Sequence, residues 1–349
     1  MGDQGLGGTL SFMSTLKELF RYHDWAFGRL VAHARNLTPS ELDAEFPIGP
    51  GSMRLILIHT YECELWWLSV ANGVPAFNGP PDDLGLEELD VLRLDLAARR
   101  DSAIATWGDA GLAAGTRYAN RAGRELTRRR ADLLLHVANH AVHHRAQALN
   151  ILRRLGKPVP WLDYFAYRWP SSLSAEAPEE PLGPSHLTAP HLADLWDHAG
   201  RTTDALVDAF RTVGDGALWI KHEIGVGSAG ETLKHLIGPE QLWLAAFANE
   251  PSPAAEPNPK LVPLDILSDQ LTHTYHAYAA LIQSEGNLSR PVTATVAPNV
   301  DVTCAIGEAI LQRVLHRTHH HAQLANMLRI AGVKSPGLDY LALLPDERM

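Results

Sequence analysis

At 349 residues the chain is long enough for two domains of ordinary size, and its 46% hydrophobic residues can fill two cores. The formal net charge of -10 and the lack of a long basic run argue against nucleic acid as the main partner. The sequence has no run of about 18 apolar residues, so no membrane span is predicted. The first residues lack the basic and apolar regions of a secretory signal, so none is expected. Two cysteines cannot form a disulfide framework, so we expect a cytoplasmic protein.

The first half of the chain carries four segments with helical periodicity. Their predicted ranges are 14–36, 52–71, 86–108 and a fourth that begins at Thr127 or Asp132 and runs to Leu155. Ser52 is a suitable N-cap for the second segment, which is apolar nearly all round and is therefore expected to be buried. Residues 116–126 lack helical character and predict an irregular connection or hairpin, and Gly156 is suited to end the fourth helix.

The second half repeats the first at a constant offset of 176 residues, which is the separation of His59 from His235. Residues of the same type that this offset aligns include Glu64 with Glu240, Trp67 with Trp243, His140 with His316, His144 with His320, Gln147 with Gln323 and Gly156 with Gly332. The offset holds over roughly 145 residues, and a period of this length indicates a duplicated domain rather than a solenoid.

Helices are expected at the corresponding positions of the second half, over 188–212, 229–249, 263–284 and 307–331. Ser228 and Glu231 form a capping box ahead of the second of these helices. Residues 171–187 are rich in proline, serine, alanine and glutamate and have no periodicity, which is typical of a linker. The sequence therefore predicts an all-α protein in which two four-helix bundles, residues 1–170 and 188–349, are joined in tandem.

Two of the predicted helices carry a pair of histidines one turn apart on one face. These pairs are His140 with His144 and His316 with His320. Such a pair can bind one metal ion, although an isolated pair is more often two surface histidines. His59 lies on the apolar second helix, where a lone histidine is usually a core residue, but it has a counterpart in His235. Because the whole arrangement is repeated, we interpret it as two sites with three histidine ligands each.

Three neutral imidazoles suit zinc, nickel, copper or iron, and they leave coordination positions open for water or a substrate. A bound ion would lower the pKa of water or of a thiol, and the cationic complex would favour an anionic thiolate or carboxylate substrate. The remaining histidines of the two His-rich helices, His143, His319 and His321, point off the ligand face and are expected at the surface or between the domains.

Four further residues stand at fixed spacings from the predicted ligands in both halves, namely Gln147, Gln323, Glu64 and Glu240. The glutamines could orient a ligand or a bound water, or be ordinary helix-face residues. The glutamates could hold a histidine or act as a base, although a buried salt bridge explains them equally well. His136 lies one turn before His140, but its counterpart is Gln312, so it is interpreted as an acid/base or pocket residue and not as a ligand.

The motif NHAVHHRAQ, followed by LRRLG and DYF and preceded by LIHTYECELWWL, resembles the DinB/YfiT-like superfamily. The resemblance covers both halves, but the second half has Leu315 where the family often has Asn, and His321 where it often has Arg. It implies a four-helix bundle with a divalent metal bound by three histidines in each half. The implied ligands are His59, His140 and His144, then His235, His316 and His320.

Members of this family with known activities include S-transferases and isomerases that use bacillithiol, mycothiol or related thiols, and some metal-dependent hydrolases. The resemblance therefore implies a metal-dependent thiol S-transferase that acts on a small-molecule substrate in detoxification or stress response. The alternatives are a hydrolase that uses metal-bound water and a metal- or small-molecule-binding protein without turnover.

The resemblance also implies the cofactors and the assembly. Zinc or nickel is the expected ion, with iron, manganese and copper also compatible, at up to one ion per domain and with a low-molecular-weight thiol as co-substrate. Members often form homodimers, so the tandem chain is expected to be a monomeric dimer-like unit with a pseudo-two-fold axis, or a homodimer.

Overall fold

The computed structural model describes residues 12–74, 79–120, 123–169, 187–251 and 261–344. These residues are mostly helical, which confirms the all-α class. The predicted linker lies outside the described residues except for Leu187. In this part of the chain, none of the helices is both long enough and apolar enough to cross a membrane.

The helices of the first half begin and end close to the predicted positions. They are α1 (Phe12–Ala34), α2 (Pro39–Leu42), α3 (Met53–Ala71), α4 (Leu86–Ala113), α5 (Arg130–Arg154) and α6 (Tyr164–Arg168). The largest difference is in α4, which we expected to end at Gly108. The chain instead kinks at Gly108 and continues as helix to Ala113.

The second half has the same order of long helices. Its elements are α7 (Ala189–Val213), α8 (Asp215–Leu218), α9 (Ala229–Ala248), α10 (Leu264–Ser284), α11 (Ile306–Ile330) and a 3-10 turn (Tyr340–Ala342). Ser52 and Ser228 occupy equivalent positions before α3 and α9. Each hydroxyl accepts a hydrogen bond at 3.2 Å from the backbone N–H three residues later, so equivalent helices start with the same cap.

An antiparallel hairpin connects the third and fourth long helices of each half. The strands are β1 (Gly115–Ala119) with β2 (Glu125–Arg129), and β3 (Pro291–Ala297) with β4 (Val300–Ala305). The hairpin in the first half agrees with one of the two alternatives predicted for residues 116–126, and the second half has a hairpin at the equivalent position. Only alternate residues of these strands are buried, such as Thr116 and Tyr118 in β1. Strands this short give a weak period-two signal in the sequence.

The helices that carry the histidine pairs, α5 and α11, pack against each other, and nearly all of their residues are buried. Across this contact the Thr318 hydroxyl donates a hydrogen bond to the side-chain oxygen of Asn139 at 2.9 Å. Arg168 in α6 of the first half donates to the carboxylate of Glu308 in α11. Within the halves, α3 packs on α5 and α9 packs on α11. Both histidine pairs are therefore held on helices that are fixed by packing on several sides.

Glu64 of α3 and Glu240 of α9 are equivalent residues, and both are buried in ion pairs. Arg100 donates to Glu64 at 2.8 Å, and His23 Nε2 lies 3.2 Å from the other Glu64 oxygen. Arg317 donates two hydrogen bonds to Glu240, at 2.6 and 2.7 Å. Burial alone would raise the pKa of Glu64, but the charge of Arg100 and the contact with His23 lower it below its ordinary value. Glu64 and Glu240 thus form buried salt bridges, which is one of the two roles that the sequence allowed for them.

Arg100→Met is expected to destabilise the protein by about 3–5 kcal/mol, because it leaves the buried Glu64 carboxylate without its cation. Arg99→Met is the matched control. It removes the neighbouring arginine of the same helix, whose side chain is 58% exposed and lies 3.6 Å from Asp95, so it is expected to cost less than about 1 kcal/mol. Urea unfolding of both variants measures the difference. Equal destabilisation by the two substitutions would contradict this interpretation.

Candidate metal centres

His59, His140 and His144 come together in the first half, and we call them the first triad. Helix α5 supplies the pair, and the packing of α3 on α5 brings in His59. The Nε2 atoms of His140 and His144 lie 3.0 Å apart, and the ring of His59 lies 5.2 and 4.6 Å from their rings, between centroids. One ring nitrogen from each of the three residues lies within 4.8 Å of the other two.

His235, His316 and His320 form the equivalent second triad, on α9 and α11. The Nε2 atom of His316 lies 3.2 Å from the Nε2 atoms of both His235 and His320. With zinc–nitrogen bonds of about 2.0–2.1 Å, two nitrogens on one tetrahedral ion are roughly 3.3 Å apart. The nitrogen separations in both triads therefore fit a shared divalent ion.

The pair on each helix is held in the neutral form that binds metals. Burial lowers the pKa of His140 and His144 well below the usual value of 6.5, and the neighbouring histidines lower it further. Burial does the same for His316 and His320, with the same contribution from their neighbours. A neutral imidazole keeps one unprotonated ring nitrogen, so no proton has to leave these four residues at neutral pH before an ion binds.

A glutamine fixes the orientation of one histidine in each triad. The Nδ1–H of His144 donates to Oε1 of Gln147 at 2.8 Å, and the Gln147 amide donates to Nε2 of His143 at 2.8 Å. Because the proton of His144 is on Nδ1 in this network, its Nε2 is left with a lone pair that faces the other ligands. Gln323 makes the same two contacts, with His320 at 2.8 Å and His319 at 2.9 Å.

Four residues of this arrangement were missed as site residues by the sequence interpretation, namely Gly49, Gly225, His143 and His319. Gly49 has a φ of +51°, and a Cβ on it would overlap the side-chain oxygen of Gln147. Gly225 has a φ of +53° and stands in the same relation to Gln323. Only glycine combines this backbone conformation with room for the amide. The signal was present in the sequence, because both glycines and both histidines match at the offset of 176.

A cavity of about 690 Å³ opens beside the first triad. Its lining includes His59 and His140 of the triad, Trp67 of α3 and, from the second half, Asp339. His136 also lies in this lining, with its ring 5.2 Å from that of Trp67 in an edge-to-face contact. Burial lowers the pKa of His136 to about 4, so its imidazole is neutral at physiological pH. The first triad is therefore accessible to a small molecule through a pocket to which both halves contribute.

The second triad has different surroundings. The residue equivalent to His136 is Gln312, whose side-chain amide donates to Asp163 of the first half. The next residue, Arg313, is buried. Burial lowers the pKa of His235, and the charge of Arg313 lowers it further. The two triads thus share their ligand geometry and differ in the residues that a bound molecule would meet.

Gly49→Ala is expected to weaken metal binding at the first triad by about 10–100-fold, because the added methyl group displaces Gln147 and releases His144. Gly73→Ala is the control, since Gly73 also has a positive φ of +76° but no atom lies within 4 Å of an added Cβ. The Gly73→Ala variant therefore places alanine in an unfavourable backbone conformation but does not displace Gln147. Competition with a fluorescent zinc chelator measures both affinities. An equal loss of affinity in the two variants would contradict the role of Gln147.

Comparison with known proteins agrees with the duplicated geometry. The DinB family matches the chain twice, over residues 13–180 and 185–348, and the two matches cover nearly the whole chain. No curated protein and no solved structure gives a significant match. Each of the two matches contains one of the histidine triads. The chain therefore belongs to the DinB family and contains two copies of its domain in tandem.

Proposed function

We propose that the protein is a metal-dependent enzyme of the thiol S-transferase type, with its reaction centre at the first triad. The observation that carries this proposal is the 690 Å³ pocket that opens onto His59 and His140. A purely structural metal site is closed by protein ligands, whereas a catalytic site keeps coordination positions accessible to substrate. Three histidines with an adjoining pocket match the arrangement of a catalytic site.

Zinc or nickel is the proposed ion, because three neutral imidazoles suit either metal. When bound, the ion would lower the pKa of a thiol and hold it as a thiolate, ready to attack an electrophilic small molecule. The contribution of the protein is to fix the ligands and to hold the substrate. Gln147 keeps His144 in the required tautomer, Trp67 and Tyr118 form an apolar wall, and the neutral ring of His136 offers a hydrogen-bonding group to the bound molecule.

A hydrolase with water as the nucleophile is the second candidate. His136 favours it, because a neutral imidazole in the pocket could accept a proton. Glu64, the other base considered from the sequence, is engaged by Arg100 and His23. Binding of a metal or small molecule without turnover is the third candidate, and it fits the second triad better than the first, since Arg313 and Asp163 occupy its surroundings.

We also infer that each half is a four-helix bundle and that the two halves pack as a pseudo-two-fold dimer within one chain. Residues related by a two-fold axis can touch each other only close to that axis. Thr15 and His191 are repeat equivalents, and the Thr15 hydroxyl lies 3.1 Å from Nδ1 of His191. The equivalent helices α5 and α11 likewise pack on each other. This packing favours a protein that is a monomer in solution, because the two halves of one chain already form the dimer-like unit.

The proposed activity is tested by mixing zinc- or nickel-loaded protein with a low-molecular-weight thiol and 1-chloro-2,4-dinitrobenzene, and following the thioether product. We expect a rate above background that depends on the metal and falls by at least about tenfold in His140→Ala, which removes a ligand of the first triad. His316→Ala is the matched variant of the second triad and is expected to retain most of the rate. A rate that is independent of metal and of His140 would overturn the proposal, and turnover of esters or amides without thiol would favour the hydrolase.

A further inference from the structure

Two acidic residues line the pocket beside the first triad, Glu62 of α3 and Asp339, which follows α11. Among the described residues of the lining there is no lysine or arginine. No described residue donates a hydrogen bond to either carboxylate. The pocket thus presents two carboxylates to whatever enters it. They lie on opposite halves of the chain, so the arrangement exists only when both halves are packed together.

The rest of the wall is largely aromatic. Trp66, Trp67 and Tyr118 line the pocket, and the rings of Trp67 and Tyr118 meet edge to face with their centroids 5.2 Å apart. Aromatic faces attract organic cations and also bury apolar carbon, and carboxylates add a direct charge interaction. His136 completes the wall as a polar residue, and its Nδ1 has no hydrogen-bond partner among the described residues.

Several residues that line the pocket are not repeated in the second half, although the histidine triad is. The residues at the offset of 176 from Glu62, Trp66 and Tyr118 are Gly238, Leu242 and Ala294. In addition, Val137 is replaced by the buried cation Arg313. Asp163 and Trp243 are the repeat equivalents of Asp339 and Trp67, but the second half has no counterpart of Glu62, Trp66 or Tyr118 and has Arg313 near its triad. The combination of two carboxylates, three aromatic residues and no neighbouring Arg313 equivalent is therefore found beside the first triad, and the repeated histidine geometry does not require it.

We propose that the first pocket selects a substrate that carries an ammonium group on an apolar or aromatic body. The ammonium lies between Glu62 and Asp339, the body packs on Trp66, Trp67 and Tyr118, and the reactive end faces the triad. This inference deepens the proposed function, on which it rests for the reaction at the triad. An anionic sulfur at the metal and a cationic nitrogen beside Glu62 and Asp339 are compatible, because the two charges have opposite signs and the carboxylates balance the cation.

The test compares two probes of the same size and different charge, 3-phenylpropylamine and 3-phenylpropan-1-ol, on zinc-loaded protein by ligand-observed NMR titration. We expect the amine to bind about tenfold more tightly than the alcohol at low salt, which corresponds to about 1.4 kcal/mol. Glu62→Gln and Asp339→Asn are each expected to reduce this preference, and the double variant to bring it within about twofold. Glu88→Gln, an exposed acidic residue of α4 outside the pocket, should leave it unchanged.

The affinity for the alcohol serves as the folding control, because a variant that has lost the pocket loses both probes. Equal binding of the two probes by the unmodified protein, or binding of neither, would overturn the proposal. A preference for the amine that survives the double substitution would also overturn it, since the amine would then be binding elsewhere or at the metal. Neither probe contains a thiol or an electrophile, so absence of S-transferase activity leaves this test unaffected, and its failure leaves the activity standing.

Discussion

The paired histidines of α5 and α11 face the third histidine of each triad in positions where a positive charge on either member of the pair is costly, and the rest of the structure depends on this constraint. Burial lowers the pKa of His140, His144, His316 and His320, and each charged neighbour would lower it further. The ring nitrogens of the triads converge within 4.8 Å of one another, and a divalent ion could be bound at the point where they meet. The helices are arranged accordingly. Helices α5 and α11 carry the paired histidines, of which His144 and His320 are buried, and α3 and α9 carry the third histidine of each triad.

The duplicated chain has kept what holds the ligands and changed what surrounds them. Gln147 with Gly49 and Gln323 with Gly225 are repeated contact for contact. The buried glutamates are also repeated, but their arginines come from α4 in one half and α11 in the other. A buried carboxylate needs a cation nearby, and the helix that supplies it is not fixed by the fold. The pocket is different again, because Glu62, Trp66 and Tyr118 of its lining have Gly238, Leu242 and Ala294 at the equivalent positions of the second half. We therefore interpret the halves as one reaction site and one related metal site.

The sequence predicted the parts of this structure that depend on local periodicity. The long helices follow from apolar spacing, and the two histidine triads follow from the four-residue step in α5 and α11 together with the offset of 176. Contacts between distant segments could not be read in the same way. The placement of Asp339 on the pocket of the other half depends on how the two halves pack, and no local pattern encodes that packing. His143 and His319 were judged by helix face alone, although Gln147 and Gln323 reach them from the ligand side.

The central claim is that each triad binds one divalent ion, and metal content tests it most directly. Protein loaded with zinc, dialysed and analysed for its elements is expected to hold two ions per chain, one for each triad. His140→Ala and His316→Ala should each retain one ion, and the double variant none, while circular dichroism confirms that the helices are intact. An unmodified protein that retains no zinc, or single variants that retain as much as the unmodified protein, would contradict the claim.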